Sequence, residues 1–232
     1  MFYSYRVQSV VKDALDTYVV RVGAAENSLG PFLPGQFCNI VNPGYIRSTE
    51  AHPFSIASSP LAKNYLEFCV KVYHDWTRAL AALPKDAEIK VEGPLGQPLT
   101  GVTSPYMVFL VGGVGISPVI SYLRYLHDQQ EKKDFLLLYG NRDEPSVVYR
   151  AELEKLAKEL GGRVVHLLSD LPPDSPWTGY RGFLTKEILK KEVDFEKNPT
   201  FYLRGPPVYV EKTTELLYAL QVPATKINQE SY

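Results

Sequence analysis

Met107-Val108-Phe109-Leu110-Val111-Gly112-Gly113-Val114-Gly115-Ile116-Ser117-Pro118 is the stretch on which the fold turns. Its first five residues are a continuous apolar run, the pattern of a strand buried on both faces. Glycines follow, and then Pro118 stands where the first turn of a helix accepts proline. Val119, Ile120, Leu123 and Leu126 are spaced along one face of that helix. A buried strand, a glycine turn and a helix open a parallel α/β unit. At such a turn backbone amides can approach an anion, and the helix N-terminus favours negative charge. Gly112, Gly113, Gly115 and Pro118 are therefore candidate nucleotide contacts. The same turn would also serve any doubly wound domain, and its spacing departs from G-x-G-x-x-G.

The pattern continues downstream. Phe135 to Tyr139 reads as a second buried strand, followed by a helix with Leu153, Leu156, Ala157 and Leu160 on one face, closed by Gly161. Val164 to Leu168 and Phe201 to Leu203 follow as strands, and a last helix is expected from Val210 to Leu220. This alternation predicts a parallel sheet with right-handed crossovers. Upstream the texture differs. Short strands at 18–22, 35–41, 66–72 and 88–91 are separated by proline and glycine, which predicts a closed antiparallel barrel or sandwich. One short helix is expected from Thr77 to Leu83, stopped by Pro84. The expected architecture is a two-domain chain, with an antiparallel β-barrel over residues 1–101 and a parallel-sheet α/β nucleotide-binding domain over 105–232.

Composition narrows the function classes. The 25 basic and 26 acidic side chains leave a formal charge of -1, which argues against a nucleic-acid partner. Two cysteines, Cys38 and Cys69, rule out a disulfide framework and a four-thiolate iron–sulfur cluster; both lie in apolar alternating stretches, as buried structural thiols do. The four histidines form no metal-ligand pattern, so no protein-bound metal is expected. No apolar run reaches the roughly 18 residues of a transmembrane segment, and the N-terminus lacks signal-peptide features. A cytoplasmic location is expected, with a membrane redox partner left open.

Two further segments carry chemistry. His52-Pro53-Phe54-Ser55 puts a ring and a hydroxyl on a barrel strand, either for a planar ligand or as ordinary core. His74-Asp75-Trp76-Thr77 reads either as a helix cap, with Asp75 or Thr77 satisfying free amides, or as a second diphosphate site. Taken in order, the motifs resemble those of the ferredoxin–NADP reductase superfamily of flavoproteins over essentially the whole chain. Pro34-Gly35-Gln36-Phe37 is similar to its P-G-Q-[YF] strand, and His52 to Ser55 to its R-x-[YF]-[ST] flavin motif. Asp75-Trp76-Thr77 falls at the helix start that contacts the flavin diphosphate. Gly93-Pro94-Leu95-Gly96 resembles the G-P-x-G turn, and Gly112 to Pro118 the G-G-x-G-x-x-P nicotinamide motif. Tyr139-Gly140-Asn141-Arg142 and Tyr149 to Leu153 match its second-strand signature.

The resemblance implies FAD as the bound cofactor and NADH or NADPH as co-substrate, with a hydride passing to the flavin and electrons onward to an unidentified acceptor. It places Phe54 against the isoalloxazine, the Ser55 hydroxyl near flavin N5, and His52 and Pro53 with Trp76 and Thr77 around the diphosphate. Glu230-Ser231-Tyr232 resembles the family's acidic-x-aromatic ending. Glu230 and Tyr232 thereby join Ser55 as candidate catalytic residues, Tyr232 as a ring stacked on the flavin or else as a frayed terminus. Asn141, Arg142 and Asp170 are expected at the nucleotide, and an acidic Asp170 leans the preference towards NADH, because it would repel a 2′-phosphate. Arg204-Gly205-Pro206 stands for the family's C-G-P, which makes Arg204 a candidate phosphate contact and Gly205 and Pro206 nicotinamide contacts. His52 stands for the usual arginine, as in the ferric reductase and NADPH oxidase branch, and Arg47 is a nearby substitute. The alternatives to a self-sufficient reductase are a partner-dependent electron-transfer subunit and a reductase of free flavin or ferric ions.

Overall fold

The computed structural model describes residues 1–25, 29–42, 44–45, 50–99 and 104–231. Two compact units divide the chain. One is Met1–Val102 with Ser117–Asp128, and the other is Thr103–Ile116 with Gln129–Tyr232.

The first unit holds six strands: β1 (Phe2–Ala14), β2 (Thr17–Ala24), β3 (Phe37–Val41), β4 (Ala51–Ser55), β5 (Leu66–Lys71) and β6 (Glu88–Leu95). They pair antiparallel in the order β4-β3-β6-β1-β2-β5. A bridge between Ile56 and Phe68 joins the two ends of that order and closes the barrel. Alternating residues such as Val7, Val20, Ile40, Phe68, Ile89 and Val91 fill its core. Both cysteines are free and buried, as the apolar alternation predicts.

The longest strand, β1, lies outside the strands expected from the sequence. Only Tyr5, Val7 and Ala14 of its thirteen residues are buried, so it carries little periodic signal. It turns into β2 through Leu15-Asp16, without the Asn-Gly type of residue that marks a tight hairpin. Helix α1 spans Asp75–Ala81, two residues earlier than the expected Thr77 to Leu83. The Thr77 hydroxyl accepts the amides of Tyr73 and His74 at 3.1 and 3.2 Å and donates to the His74 carbonyl at 2.9 Å, which fixes the start.

Helix α2 (Ile116–Asp128) follows the glycine turn, and from Ser117 onward it groups with the barrel rather than with the α/β unit. Polar ties hold it there. Ser121 Oγ donates to the Ser58 carbonyl at 2.7 Å. Arg124 Nη1 donates to the Ala57 carbonyl at 2.8 Å and to Glu67 Oε1 at 2.6 Å. The second Glu67 oxygen receives Arg21 Nε at 2.7 Å. Glu67 is fully buried on β5.

The second unit contains β7 (Tyr106–Gly112), β8 (Asp134–Asn141), β9 (Arg163–Leu168), β10 (Tyr180–Arg181), β11 (Thr200–Gly205) and β12 (Ile227–Ser231). Its helices are α3 (Arg150–Leu160), α4 (Lys186–Glu192) and α5 (Pro207–Ala219). The strands pair parallel in the order β10-β9-β8-β7-β11-β12. Every residue of β7 is buried, as its apolar run predicts. Helix α5 begins three residues before the expected Val210, with Pro207 in its first turn, where a missing amide costs nothing. β10, β12 and α4 were not expected. The first is two residues long, and β12 is a polar edge strand, Ile-Asn-Gln-Glu-Ser. α4 is a two-turn helix capped by Thr185, whose hydroxyl accepts the Ile188 amide at 3.3 Å. Among the described residues no helix is long and apolar enough to cross a membrane.

Burial alone would raise the Glu67 pKa, but the charge and hydrogen bonds of Arg124 and Arg21 outweigh it and hold the carboxyl below its ordinary value. Glu67 therefore contributes stability that is present above its unfolded value of about 4.3 and is lost as pH falls through the lower folded value. In urea denaturation at pH 7, Glu67→Gln is expected to lose about 3 kcal/mol. The variant's stability should also fall less steeply with acidification than that of the wild type. Equal slopes would show that Glu67 is not the group responsible.

Candidate functional site

On the barrel, His52 and Phe54 alternate along β4 and meet Trp76 of α1. The His52 and Trp76 rings lie 4.1 Å apart at 34°, and Phe54 and Trp76 stack 5.7 Å apart at 18°. His74 joins the group at 5.9 Å from His52. Trp76 Nε1 is buried with no hydrogen-bond partner among the described residues. His52 Nε2 lies 3.0 Å from Glu50 Oε1 and still makes no hydrogen bond of acceptable geometry. Buried polar groups are almost always satisfied, so the Trp76 Nε1 donor marks a place where an acceptor is wanted. Ser55 ends β4 half-buried. Pro53 is exposed. The Thr77 hydroxyl is spent on capping, and Asp75 pairs with Arg78 rather than with a free amide.

In the α/β unit the expected nucleotide residues gather at the carboxyl ends of the strands. Gly112 ends β7 and Gly113 and Gly115 follow it, while Asn141 ends β8 and Arg142 follows. Asp170, after β9, is exposed, and its amide donates to the Arg142 carbonyl at 2.7 Å. The Asn141 amide nitrogen is a further buried donor without a partner. This crest is where open α/β sheets take nucleotides, because β7 has β8 on one side and β11 on the other, which makes it the topological switch point. Tyr139, fully buried on β8, donates its hydroxyl to the Gly113 carbonyl at 3.1 Å and so fixes the glycine turn. Pro118 lies in α2 and is buried.

The glycines have local reasons to lack side chains. A Cβ on Gly115 would come within 2.6 Å of the Arg204 carbonyl oxygen. Cβ atoms on Gly112, Gly140 and Gly205 would meet the ring of Tyr209 at 3.1, 3.5 and 2.9 Å. Tyr209 was not singled out from the sequence. It lies in the first turn of α5, and no spacing rule indicates that its ring folds back over three strands.

Arg204 is buried and turned into its own sheet. Nη1 donates to the Leu203 and Asn228 carbonyls at 2.8 and 3.2 Å, Nη2 donates to Asn228 Oδ1 at 2.8 Å, and Nε lies 3.4 Å from Glu230 Oε2. Burial lowers its pKa while Glu230 opposes that shift. These contacts tie β12 to β11, where Arg204 and Glu230 are register partners. These contacts engage Arg204 and Glu230 in a latch between the two strands. Gly205 is buried and Pro206 exposed at the entry to α5. Tyr232 and Arg47 lie outside the described residues. No group of three metal-ligating side chains occurs among the described residues.

Two family models match the chain in succession. An FAD-binding domain covers residues 5–106, and an oxidoreductase NAD-binding domain covers residues 109–215. The reductase component of propane 2-monooxygenase from Rhodococcus jostii (strain RHA1) is 29% identical over 239 residues, covering 98% of this chain and 62% of that protein. The chain therefore spans less than two thirds of that relative's length. The flavohem-like FAD/NAD-binding domain of nitric oxide dioxygenase from Vibrio cholerae superposes with a TM-score of 0.87 at 18% identity, covering 99% of this chain and 98% of that one. An Amycolatopsis cytochrome P450 reductase gives 0.84 at 25% identity, covering 100% and 69%. With the barrel, the parallel sheet and both domain matches in their expected order, the chain belongs to the ferredoxin–NADP reductase superfamily of flavoprotein reductases.

Gly115→Ala is expected to lower stability by about 1–3 kcal/mol, because the methyl group meets backbone rather than a movable side chain. A thermal melt unchanged from wild type would show that the β7 turn tolerates a Cβ.

Proposed function

We propose that the chain is an NAD(P)H-dependent flavoprotein reductase that delivers electrons from NADH, through FAD bound on the barrel, to a separate acceptor. The observation that carries this reading is the His52–Trp76–Phe54 ring group, with Trp76 Nε1 buried and without a hydrogen-bond partner among the described residues, in a chain whose second half matches an NAD-binding domain. FAD, when bound, supplies two-electron acceptance from reduced nicotinamide and release to the acceptor one or two electrons at a time. The chain's own residues bind and orient. Phe54, half-buried on β4, offers a ring to a planar group, His52 and Trp76 offer N–H donors to acceptor atoms, and the Ser55 hydroxyl stands at the end of the same strand. The cofactor-contact roles of Pro53, Thr77, Gly112, Gly113, Gly115, Pro118, Asn141, Arg142, Gly205 and Pro206 belong to the same proposal. The division into an FAD domain over 1–101 and a nucleotide domain over 105–232 does too.

NADH is the preferred co-substrate in this reading. Asp170 is exposed beside Arg142 at the crest, where its carboxylate would repel a 2′-phosphate and accept a hydrogen bond from a free 2′-hydroxyl. For the acceptor, we take a partner oxygenase or haem protein, in line with the monooxygenase reductase component that the chain resembles over 98% of its length.

The test is an anaerobic absorbance titration of the FAD-loaded protein, with NADH in one sample and NADPH in another. Substoichiometric NADH is expected to bleach the flavin band, and NADPH to do so less readily. A bound flavin that neither nucleotide reduces would overturn the reductase reading. His52→Ala is expected to weaken FAD retention about tenfold by removing a donor and a ring contact. Equal retention on gel filtration would take His52 out of the site.

A further inference from the structure

His166 of β9 carries an imidazole that the fold leaves without a hydrogen bond. Its side chain is 8% exposed, and both ring nitrogens are buried with no hydrogen-bond partner among the described residues. Its ring neighbours are Tyr139 of β8 at 5.9 Å and Trp177 at 6.4 Å, the latter nearly perpendicular at 73°. On α3, Glu154 Oε1 stands 3.7 Å from His166 Nε2 and is itself held by Arg150 Nε at 3.3 Å. Arg150 also pairs with Glu144 at 2.7 Å, and its guanidinium lies over the Trp177 ring at 5.5 Å. From α4, Lys191 and Glu192 line the same hollow of about 450 Å³ as His166 and Trp177. Glu192 is engaged by Arg163 and the Tyr180 hydroxyl, and Lys191 lies over the Tyr180 ring. Burial first, and then the Arg150 charge, lower the His166 pKa against smaller opposition from Glu154 and Glu144.

Trp177 belongs to a segment, residues 171–179, whose hydrogen bonds among the described residues close on itself and on Tyr180 and Arg181 just after it. Arg181 donates to the carbonyls of Pro172, Ser175 and Trp177 at 3.2, 2.6 and 3.3 Å, and Trp177 Nε1 donates to the Tyr180 carbonyl at 3.2 Å. Pro172, Pro173 and Pro176 stiffen the segment. From this piece the Trp177 ring reaches onto the sheet beside His166. Upstream, the segment joins β9 through Asp170, whose amide bonds the Arg142 carbonyl.

We propose that His166 and Trp177 form an acid-sensitive catch, in which the neutral imidazole seats the Trp177 ring and a proton on it releases residues 171–179 from the sheet. An imidazolium is costly where no acceptor stands within bonding reach and Arg150 lies close by. It draws Glu154 away from Arg150 or admits water, and either change disturbs the guanidinium and the tryptophan ring packed together. The seated state is complete above the ordinary histidine pKa of about 6.5 and is lost as pH falls through the lower folded value. Resting on the reading of this unit as a nucleotide domain, release also shifts Asp170 and weakens its ribose contact.

The chain holds two tryptophans, so the FAD-loaded protein gives two indole N–H signals by NMR, and Trp177→Phe identifies the one from Trp177. Between pH 7.5 and 5 that signal is expected to shift with a midpoint below about 6.5, and NAD⁺ to bind about tenfold more weakly at the acid end. His166→Phe keeps a ring without a titratable group and is expected to hold both the signal and the NAD⁺ affinity constant over this range. Glu154→Gln, a change at a half-exposed helix position, removes the nearest carboxylate and is expected to lower the midpoint. A wild-type Trp177 signal that ignores pH, or an equal response in His166→Phe, would overturn the catch. So would a midpoint that Glu154→Gln leaves unmoved. A pH response of the indole without any change in NAD⁺ affinity would overturn the link to Asp170. A wild type that binds no NAD⁺ at pH 7.5 removes the nucleotide-domain reading, and the indole titration then decides the catch by itself.

Discussion

At the carboxyl end of β7 the chain has no room for side chains, and much of the second unit is arranged around that constraint. The turn after Gly112 brings Gly115 against the Arg204 carbonyl of β11, so closely that even a methyl group would displace backbone. Tyr139 pins the intervening Gly113 carbonyl from the neighbouring strand. Tyr209 caps the same strand ends from α5. β8, β11 and the start of α5 thus converge on one turn, and each limits how the others can move. Close-packed interiors transmit such limits because a displaced atom has nowhere to go. The result is a crest held in one shape before any ligand arrives, which is the condition for binding without an ordering cost.

The barrel meets a different problem, that of placing charge and unsatisfied donors inside a small core. Glu67 has no access to water and is made tolerable by two arginines, one of them from α2. A paired charge in that position adds little stability over an apolar replacement but makes loss of either partner costly, so its effect is to specify how α2 seats on the strands. The His52–Trp76–Phe54 group behaves in the opposite manner. Trp76 Nε1 is buried with no hydrogen-bond partner among the described residues, and His52 Nε2 faces only the Glu50 carboxylate at 3.0 Å.

Arg204 shows how a substitution within a motif can change a residue's employment. Where the resemblance leads one to expect a small thiol, this chain carries a long cation, and its guanidinium turns along the sheet to the last strand. The polar edge strand β12 gains a side-chain anchor that its own sequence cannot provide. Glu230 is drawn into the same contact.

The sequence by itself determined the two architectures, the buried strand β7, the glycine turn and the identity of the residues at β4 and α1. Each of these rests on local signals: apolar runs, period-2 alternation, proline and glycine punctuation, and ordered motifs along the chain. Only the tertiary structure decided the rest. β1 and β12 have too few buried residues to show a period, and their strands exist because neighbours supply the pairing. Helix α2 reads as part of the α/β unit from its place in the chain, yet groups with the barrel through Ser121 and Arg124, contacts some sixty residues distant. Arg204 reads as a phosphate ligand and Tyr209 as an ordinary helix residue until their partners are known. Spacing along a chain records local geometry, but the direction in which a long side chain turns is settled by what packs against it.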